Sequence, residues 1–391
     1  MQNVYVIDSR RTPFGSFGGA LAAVPAPELA AGVIRELLQG TETAPEEIQE
    51  FIAGQVLSGG TGQAPARQAM RGAGLPDSVH AMTINKVCGS GLKALIVGAR
   101  SIRLGDADMA LAGGMENMSL APHALTQARF GLRMGNASSL DLMLHDALID
   151  PYSGRHMGEV AEVLNQELGI SRQEQDAWAS RSYTLAQEAI RSGSLAEEIV
   201  PVPIVSRKGT VTVDADEEPF RVNLEKIGSL RPVFSKEGTI TAANASTIND
   251  GAAFTLLAGE EAVQRRGLLP EGRLVAYATH SIHPDHFPLA PVGAIEKVCA
   301  QAGLQIGDIG LFEINEAFAS VALMAIQRLN LDPERVNVNG GAVAIGHPVG
   351  ASGGRIVTTL LKEMKRRQVR YGLATLCIGG GEAVSAIFEH V

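Results

Sequence analysis

The chain is poor in the residues that would make a stapled, membrane-borne or nucleic-acid-binding protein. Its 391 residues hold three cysteines, Cys88, Cys299 and Cys377. They are too few and too scattered for a disulfide scaffold, and they lack metal-ligand spacing. Tryptophan occurs once, at Trp178, and aromatics make up 4% of the chain. No apolar run reaches the roughly 20 residues that cross a bilayer. No charged-then-apolar leader precedes the strand-like Val4-Tyr5-Val6-Ile7. The formal charge is −9 and no basic stripe stands out, which argues against nucleic acid as a partner. The basic cluster Lys362-Glu363-Met364-Lys365-Arg366-Arg367 reads as the solvated end of a helix. A soluble protein of a reducing, cytoplasmic setting, with no membrane anchor, is the expectation.

Small and apolar residues are plentiful. Hydrophobic residues make up 45% and glycine occurs 44 times, a composition that suits tightly packed α/β layers. The first third alternates strand and helix: a helix over 27–38, a strand over 51–56, a helix over 64–71, and a strand Met109-Ala110-Leu111-Ala112 stopped by Gly113-Gly114. That rhythm predicts βαβ units and a mostly parallel sheet. It breaks from Met115 to about Arg231, where a helix over 171–192 opens on the capping box Ser171-Arg172-Gln173-Glu174. The rhythm then returns: a possible helix start at Asn249-Asp250-Gly251-Ala252, a strand at 274–277, a helix over 292–302, and strands at 309–313 and 373–376. Two early segments match two late ones in order and spacing. Gly89-Ser90-Gly91, helix, strand, Gly113-Gly114 parallels Ala351-Ser352-Gly353-Gly354, helix, strand, Gly379-Gly380; Glu46 to Ile52 parallels Gly307 to Glu313. These matches imply a duplication. Residues 1–115 form the first part of an N-terminal half, 116–231 an inserted loop domain, 232–267 the completion of that half, and 268–391 the C-terminal half.

The chemistry concentrates where strands give way to helices or loops, the usual place for sites in α/β proteins. In Ile84-Asn85-Lys86-Val87-Cys88-Gly89-Ser90-Gly91 a cysteine sits in a turn that leads into a helix. The free N–H groups and positive dipole end of that helix favour a thiolate, the form that attacks carbonyl carbon. A cysteine in such a turn is either a poised nucleophile or a small core residue. Asn315-Glu316 is either a helix cap or a reactive pair. His347, in Gly346-His347-Pro348, is either a satisfied loop histidine or a catalytic one, and Cys377, at a strand end, is either core or catalytic.

Taken together, Val87-Cys88-Gly89-Ser90-Gly91, Asn315-Glu316-Ala317-Phe318, Gly340-Gly341-Ala342 with Gly346-His347-Pro348 and Gly350-Ala351-Ser352-Gly353, and Cys377-Ile378-Gly379-Gly380-Gly381 resemble the thiolases. Gln63-Ala64-Pro65-Ala66-Arg67-Gln68 fits as well, and the likeness runs from Arg11-Thr12-Pro13-Phe14-Gly15 to the C-terminus. The condensing enzymes of fatty acid synthesis share the fold and a nucleophilic cysteine, but the last motif favours a thiolase. The resemblance implies a duplicated five-layer αβαβα fold with an inserted loop domain. It also implies acetyl-CoA C-acetyltransferase activity, a reversible Claisen condensation through an acyl-cysteine. Alternatives are a 3-ketoacyl-CoA thiolase of broader chain length or, from a different class, an acyl-CoA-binding protein without catalysis. By the same resemblance Cys88 carries the acyl group and Cys377 is the acid/base thiol. His347, with a water held by Asn315, forms the oxyanion hole for the enolate. The N–H groups of Cys88 and Gly379 form a second hole, and Glu316 either acts or orients neighbours.

The resemblance extends to partners. Leu148, His156, Met157, Phe234, Ala242, Ser246, Ala317 and Phe318 match residues that line the coenzyme A site. Arg221 lies near a shortened loop, and Lys226 stands where relatives have a serine. Acetyl-CoA, acetoacetyl-CoA and coenzyme A are the implied ligands, with no cofactor required. A homodimer or homotetramer is implied too, with the strand 109–114 as a candidate for pairing across a two-fold axis. The segment 283–292, with Phe287-Pro288, resembles the potassium-activated branch of the family. There the ion is held by a tyrosine hydroxyl, matching Tyr183, and by backbone carbonyls matching Ala242, Ala243, Ala245 and Val343.

Overall fold

The computed structural model of the chain describes residues 2–207 and 209–391. Val4–Arg11 (β1), Glu50–Gly54 (β2), His80–Ile84 (β3), Met109–Asn117 (β4), Asn249–Gly259 (β5), Gly272–Ser281 (β6), Leu311–Ile314 (β7), Tyr371–Ile378 (β8) and Glu382–Glu389 (β9) build one sheet. Its order is β7-β8-β9-β6-β1-β5-β4-β2-β3, and Gly15–Ser16 adds a short tenth strand to β5. Among the described residues the two half-sheets are joined by strand pairing at Tyr5 and Val6 with Arg273 and Gly272. Outward from that seam each half repeats one plan: two antiparallel pairings and then a parallel one, β1-β5-β4-β2 and β6-β9-β8-β7. A parallel bridge from Phe312 to Val336 stands in the second half where β3 stands in the first. The duplication read from the sequence is therefore built into the sheet.

The sheet is not mostly parallel. Only β2–β3, β2–β4 and β7–β8 run in the same direction. The reason is that β9 returns by the tight turn after Ile378, and that the long connection from β4 comes back at the end of the sheet where it left, with Asp250 paired to Asn117. The stretch Asn249-Asp250-Gly251-Ala252 is the beginning of β5, not a helix start. All eleven residues of β5 are buried, so it shows no period-2 alternation to separate strand from helix.

Helices Ala26–Gly40 (α1), Pro65–Gly72 (α2), Ser90–Leu104 (α3), Met157–Leu168 (α4), Arg172–Arg191 (α5), Ala290–Ala302 (α6), Ala319–Leu329 (α7) and Ser352–Arg367 (α8) complete the layers. α1 and α2 cover the outer face of the first half-sheet, and α6 with α7 beside it cover the second. α3 and α8 are packed between the half-sheets, in an apolar layer that takes Ile52 and Ala112 from one side and Leu376 and Val384 from the other. Five αβαβα layers result. Between β4 and β5 lies the excursion with α4 and α5. There Ser171 Oγ accepts the Glu174 N–H at 3.2 Å and the Glu174 carboxylate accepts the Ser171 N–H at 2.8 Å, the capping box read from sequence.

The two central helices touch at their N-termini. A Cβ on Gly91 would lie 2.7 Å from the Gly354 nitrogen, and one on Gly353 would lie 2.2 Å from the Leu92 nitrogen. Only glycine permits that approach. It brings the segments before the two helices, which carry Cys88 and His347, to one end of the central layer. β4 is hydrogen-bonded on both sides, to β5 and to β2. Residues 109–114 therefore cannot pair across a two-fold axis; the terminal strands of the sheet are β3 and β7, and β7 carries the bridge from Phe312 to Val336 on its outer side.

Candidate active site

The Cys88 turn is held by its own backbone and by Ser90. Gly89 N–H donates to Lys86 O at 3.1 Å, Ser90 Oγ donates to Val87 O at 2.7 Å, and Lys86 N–H donates to Ser90 Oγ at 2.8 Å. Val87 pays for the sharpness of the turn with a φ of 46°, a left-handed conformation that is uncomfortable for a β-branched residue. A side chain on Gly89 would meet Ile378 at 2.5 Å. The half-buried Cys88 thiol faces the N–H groups of Gly379 and of Cys88 itself. Those donors favour the thiolate, but burial outweighs them and pushes the thiol up to about 11, with the Glu116 carboxylate adding to the rise. The helix start alone therefore does not deliver a thiolate in the free protein.

Cys377 is 1% exposed near the end of β8, and burial first and Cys88 second push its thiol well above the usual range. His347 is also buried. Its Nδ1 lies 2.6 Å from Ser352 Oγ and 3.5 Å from Asn315 Nδ2, while its Nε2 has no partner among the described residues. Burial, then the Arg355 charge, lowers the imidazole to about 3, so it is neutral at working pH. Asn315 Oδ1 is likewise buried without a partner among the described residues. Glu316 is spoken for: Trp178 Nε1 and Asn337 Nδ2 donate to Oε1 at 2.8 and 2.7 Å, and Ser182 Oγ and the Val343 N–H donate to Oε2 at 2.9 and 3.2 Å. It orients neighbours.

Cys88, His347 and Gly379 open into one cavity of about 290 Å³. Leu148, His156, Met157, Phe234, Ser246, Phe287, Ala317 and Phe318 line it. The His156 and Phe234 rings stack at 4.8 Å, and Phe318 sits edge-on to Phe234 and to Phe287 at 6.2 and 6.4 Å. Ala242 and Arg221 are exposed and outside the lining. Tyr183, Ala243 and Val343 fall in one apolar cluster, and Ala245 forms a bridge with Phe318. Burial, then Glu218 and Glu316, holds the Tyr183 phenol protonated. The sequence reading missed Met118, Ala147, Val233, Thr247, Ile248 and Val349 of the lining, since single residues outside long periodic elements carry no signal. A larger hollow of about 840 Å³ beside α1 has no cysteine or histidine in its wall.

With a thiol, a neutral imidazole and a backbone donor at one cavity, and a second buried thiol close enough to feel the first, the comparisons with known proteins become informative. The family model described as thiolase, N-terminal domain matches residues 4–261, and that described as thiolase, C-terminal domain matches 268–390. The chain belongs to the thiolase family. It is 49% identical over 387 residues to the acetyl-CoA acetyltransferase of Pseudomonas aeruginosa, covering 98% of each chain. It is 48% identical over 392 residues to that of Cupriavidus necator, covering 100% of each. It is 46% identical to a probable acetyl-CoA acyltransferase of Staphylococcus aureus, covering 99% of each. The crystal structure of the Bacillus anthracis acetyl-CoA acetyltransferase superposes with a TM-score of 0.98 at 40% identity, covering 100% of this chain and 99% of that one.

The buried imidazole of this thiolase makes a stability prediction. His347 has a folded pKa of about 3, below the 6.5 of the free side chain. The stabilisation from keeping it neutral is therefore complete above 6.5 and is lost as pH falls from there toward 3. By pH 5 the loss amounts to about 2 kcal/mol. Urea unfolding at pH 7.5 and at pH 5 should show a smaller acid loss for His347→Asn than for the parent. Equal losses would contradict the burial argument.

Proposed function

We propose that this thiolase is an acetyl-CoA C-acetyltransferase working through an acyl-Cys88 intermediate. The observation that carries the reading is the Gly379 N–H directed at the Cys88 sulfur, in a cavity shared with an imidazole nitrogen that has no partner among the described residues. Both thiols are neutral in the free protein, so Cys88 passes its proton to that imidazole nitrogen, His347 Nε2, as it attacks. Cys88 attacks the thioester carbonyl of acetyl-CoA, and the N–H groups of Cys88 and Gly379 take the charge that develops on oxygen. Coenzyme A leaves with the Cys377 proton. The Cys377 thiolate then removes a proton from the α-carbon of a second acetyl-CoA. Ser352 Oγ donates to Pro348 O and accepts from His347 Nδ1, so the proton taken from Cys88 sits on Nε2, where it meets the enolate oxygen beside Asn315 until the departing Cys88 thiolate takes it back. Attack of the enolate carbon on acetyl-Cys88 forms acetoacetyl-CoA and returns the Cys88 thiolate. A cavity of about 290 Å³ favours short acyl chains over the broader 3-ketoacyl range.

Two finer readings accompany it. The protein assembles as a homodimer or homotetramer in a cytoplasmic setting. β3 supports this, since it is paired only by β2 and leaves Met82 51% exposed. So does the loop that exposes Phe130, Leu132 and Met134. A potassium ion orders the coenzyme-side loop through the Tyr183 hydroxyl and backbone oxygens of Ala242, Ala243, Ala245 and Val343. The field of Glu218 and Glu316 at Tyr183 suits a cation.

Incubation with acetyl-CoA should add an acetyl mass to the Cys88 peptide, and loss of acetoacetyl-CoA enolate absorbance on adding coenzyme A should report thiolysis. Cys377→Ala should still acetylate but not condense, and His347→Ala should lose about 10²–10³-fold in rate. An acetyl group confined to Cys299 or Cys377 would sink the assignment, and a silent enolate signal would leave an acyl-CoA binder. Light scattering should show an oligomer at micromolar concentration that Met82→Lys weakens; a monomer would refute the assembly. Thiolysis assayed in potassium against sodium at equal ionic strength should be faster in potassium, with 2-methylacetoacetyl-CoA accepted. Equal rates and no turnover of the 2-methyl substrate would remove the ion.

A further inference from the structure

The loop 346–350, which carries His347, belongs to the C-terminal half but is not held by it alone. His347 N–H donates to Asn249 Oδ1 at 2.9 Å, and Gly350 N–H donates to Glu116 Oε2 at 2.8 Å. Asn249 opens β5 and Glu116 is near the end of the adjacent β4, so both anchors come from the half that carries Cys88. Both are 0% exposed. The loop backbone rests directly on them: a Cβ on Gly346 would lie 2.4 Å from Asn249 Cγ, and one on Gly350 would lie 2.6 Å from Glu116 Oε2.

Neither side chain is free to turn. Asn249 Oδ1 also accepts Thr247 Oγ1 at 2.8 Å, and its Nδ2 donates to Gly15 O at 2.9 Å. Glu116 Oε1 accepts the Leu57 N–H at 3.0 Å, while Oε2 accepts the Val56 N–H at 3.0 Å in addition to that of Gly350. Three backbone donors converge on one carboxylate. It ties the loop after β2 to the His347 loop.

We propose that Glu116 and Asn249 are positioning residues that fix the His347 loop to the Cys88 half and so set the imidazole against the thiol. The inference rests on the role assigned to His347 above. Of the two anchors Glu116 titrates. The ionisable groups facing it are Asp250 on β5 and Cys88 ahead of α3, and residues 55–57 contribute none. Burial lifts its carboxyl to about 7 against the three N–H bonds, with Asp250 adding to the rise. A protonated carboxyl presents a hydrogen where an N–H must approach, so the anchor holds above that pH and loosens below it.

The test uses the full-length protein. Glu116→Gln should lower kcat for acetoacetyl-CoA thiolysis at pH 8 by about 10–100-fold, since small misplacements of catalytic groups cost rate on that scale. Its KM should stay within about threefold of the parent. Alkylation of Cys88 by iodoacetamide should be retained, and the acid limb of the parent's kcat profile near pH 7 should disappear. Asn249→Ala should lower kcat similarly but leave the acid limb in place. An unchanged kcat and acid limb in Glu116→Gln would overturn the proposal, as would a loss of Cys88 alkylation in parallel with kcat. Should neither variant fold, a parent profile with no acid limb near pH 7 would overturn it. His347→Ala run alongside separates the two ideas. Full activity there retires the His347 role itself, whereas an inactive His347→Ala beside a fully active Glu116→Gln retires only the anchor.

Discussion

The structure depends on the contact between the N-termini of α3 and α8. Gly91, Gly353 and Gly354 let two backbones meet where any side chain would intrude. Because the helices start at that contact, the segments leading into them end there too: the Cys88 turn from one half and the His347 loop from the other. The free N–H groups of both helices lie at the same end. Asn315, after β7, and Cys377, in β8, join them because β7 and β8 run parallel to each other in the same half-sheet. A separation larger by one methyl group would part the nucleophile from the groups that act on its adduct.

Desolvation governs the chemistry that this contact assembles. It raises Cys88 and Cys377 and lowers His347, so each rests uncharged in the free protein. The charged groups are placed behind the reacting ones, as holders. Glu316 fastens Trp178 and Ser182 of α5 to Asn337 and Val343 of the C-terminal half. Arg11 of β1 pairs with Asp216 and Glu198 of the excursion at 2.6 Å each. Buried ion pairs of this kind contribute little net stability, and their use lies in fixing one arrangement among many. Here they fix where the excursion sits, and with it His156 and Met157 in the cavity wall.

What the sequence made legible is what backbone geometry demands. The turn at Cys88, the glycines around His347 and Cys377, the α5 cap and the duplicated order are all local signals, and each stands where it was read. β5 and the antiparallel centre of the sheet were not legible, because a strand buried on both faces has no alternation and strand direction is set by distant partners. Glu116 and Asn249 were illegible as anchors for a related reason. A polar residue at the end of a buried strand shows its meaning only through the backbone N–H groups it collects, and those come from segments far away in the chain. The Met109–Gly114 stretch misled because small residues suit close packing inside a sheet as well as at an interface.

The duplication also explains how one plan yields two different reactive segments. Ser90 and Ser352 occupy the first position of α3 and α8. Each turns its hydroxyl back on the preceding segment, Ser90 to Val87 O at 2.7 Å and Ser352 to Pro348 O at 3.0 Å. The same serine thus closes the backbone ahead of each helix. In the first half that backbone is a tight turn, and the reactive side chain stands two residues before the serine. In the second it is a longer loop, and His347 stands five residues before the serine, near enough for Ser352 Oγ to reach its Nδ1 at 2.6 Å. Lengthening one of the two segments moved the reactive residue from beside the helix axis to across the cavity. It also left a loop that its own half does not fully hold, and Glu116 and Asn249 of the other half supply what is missing.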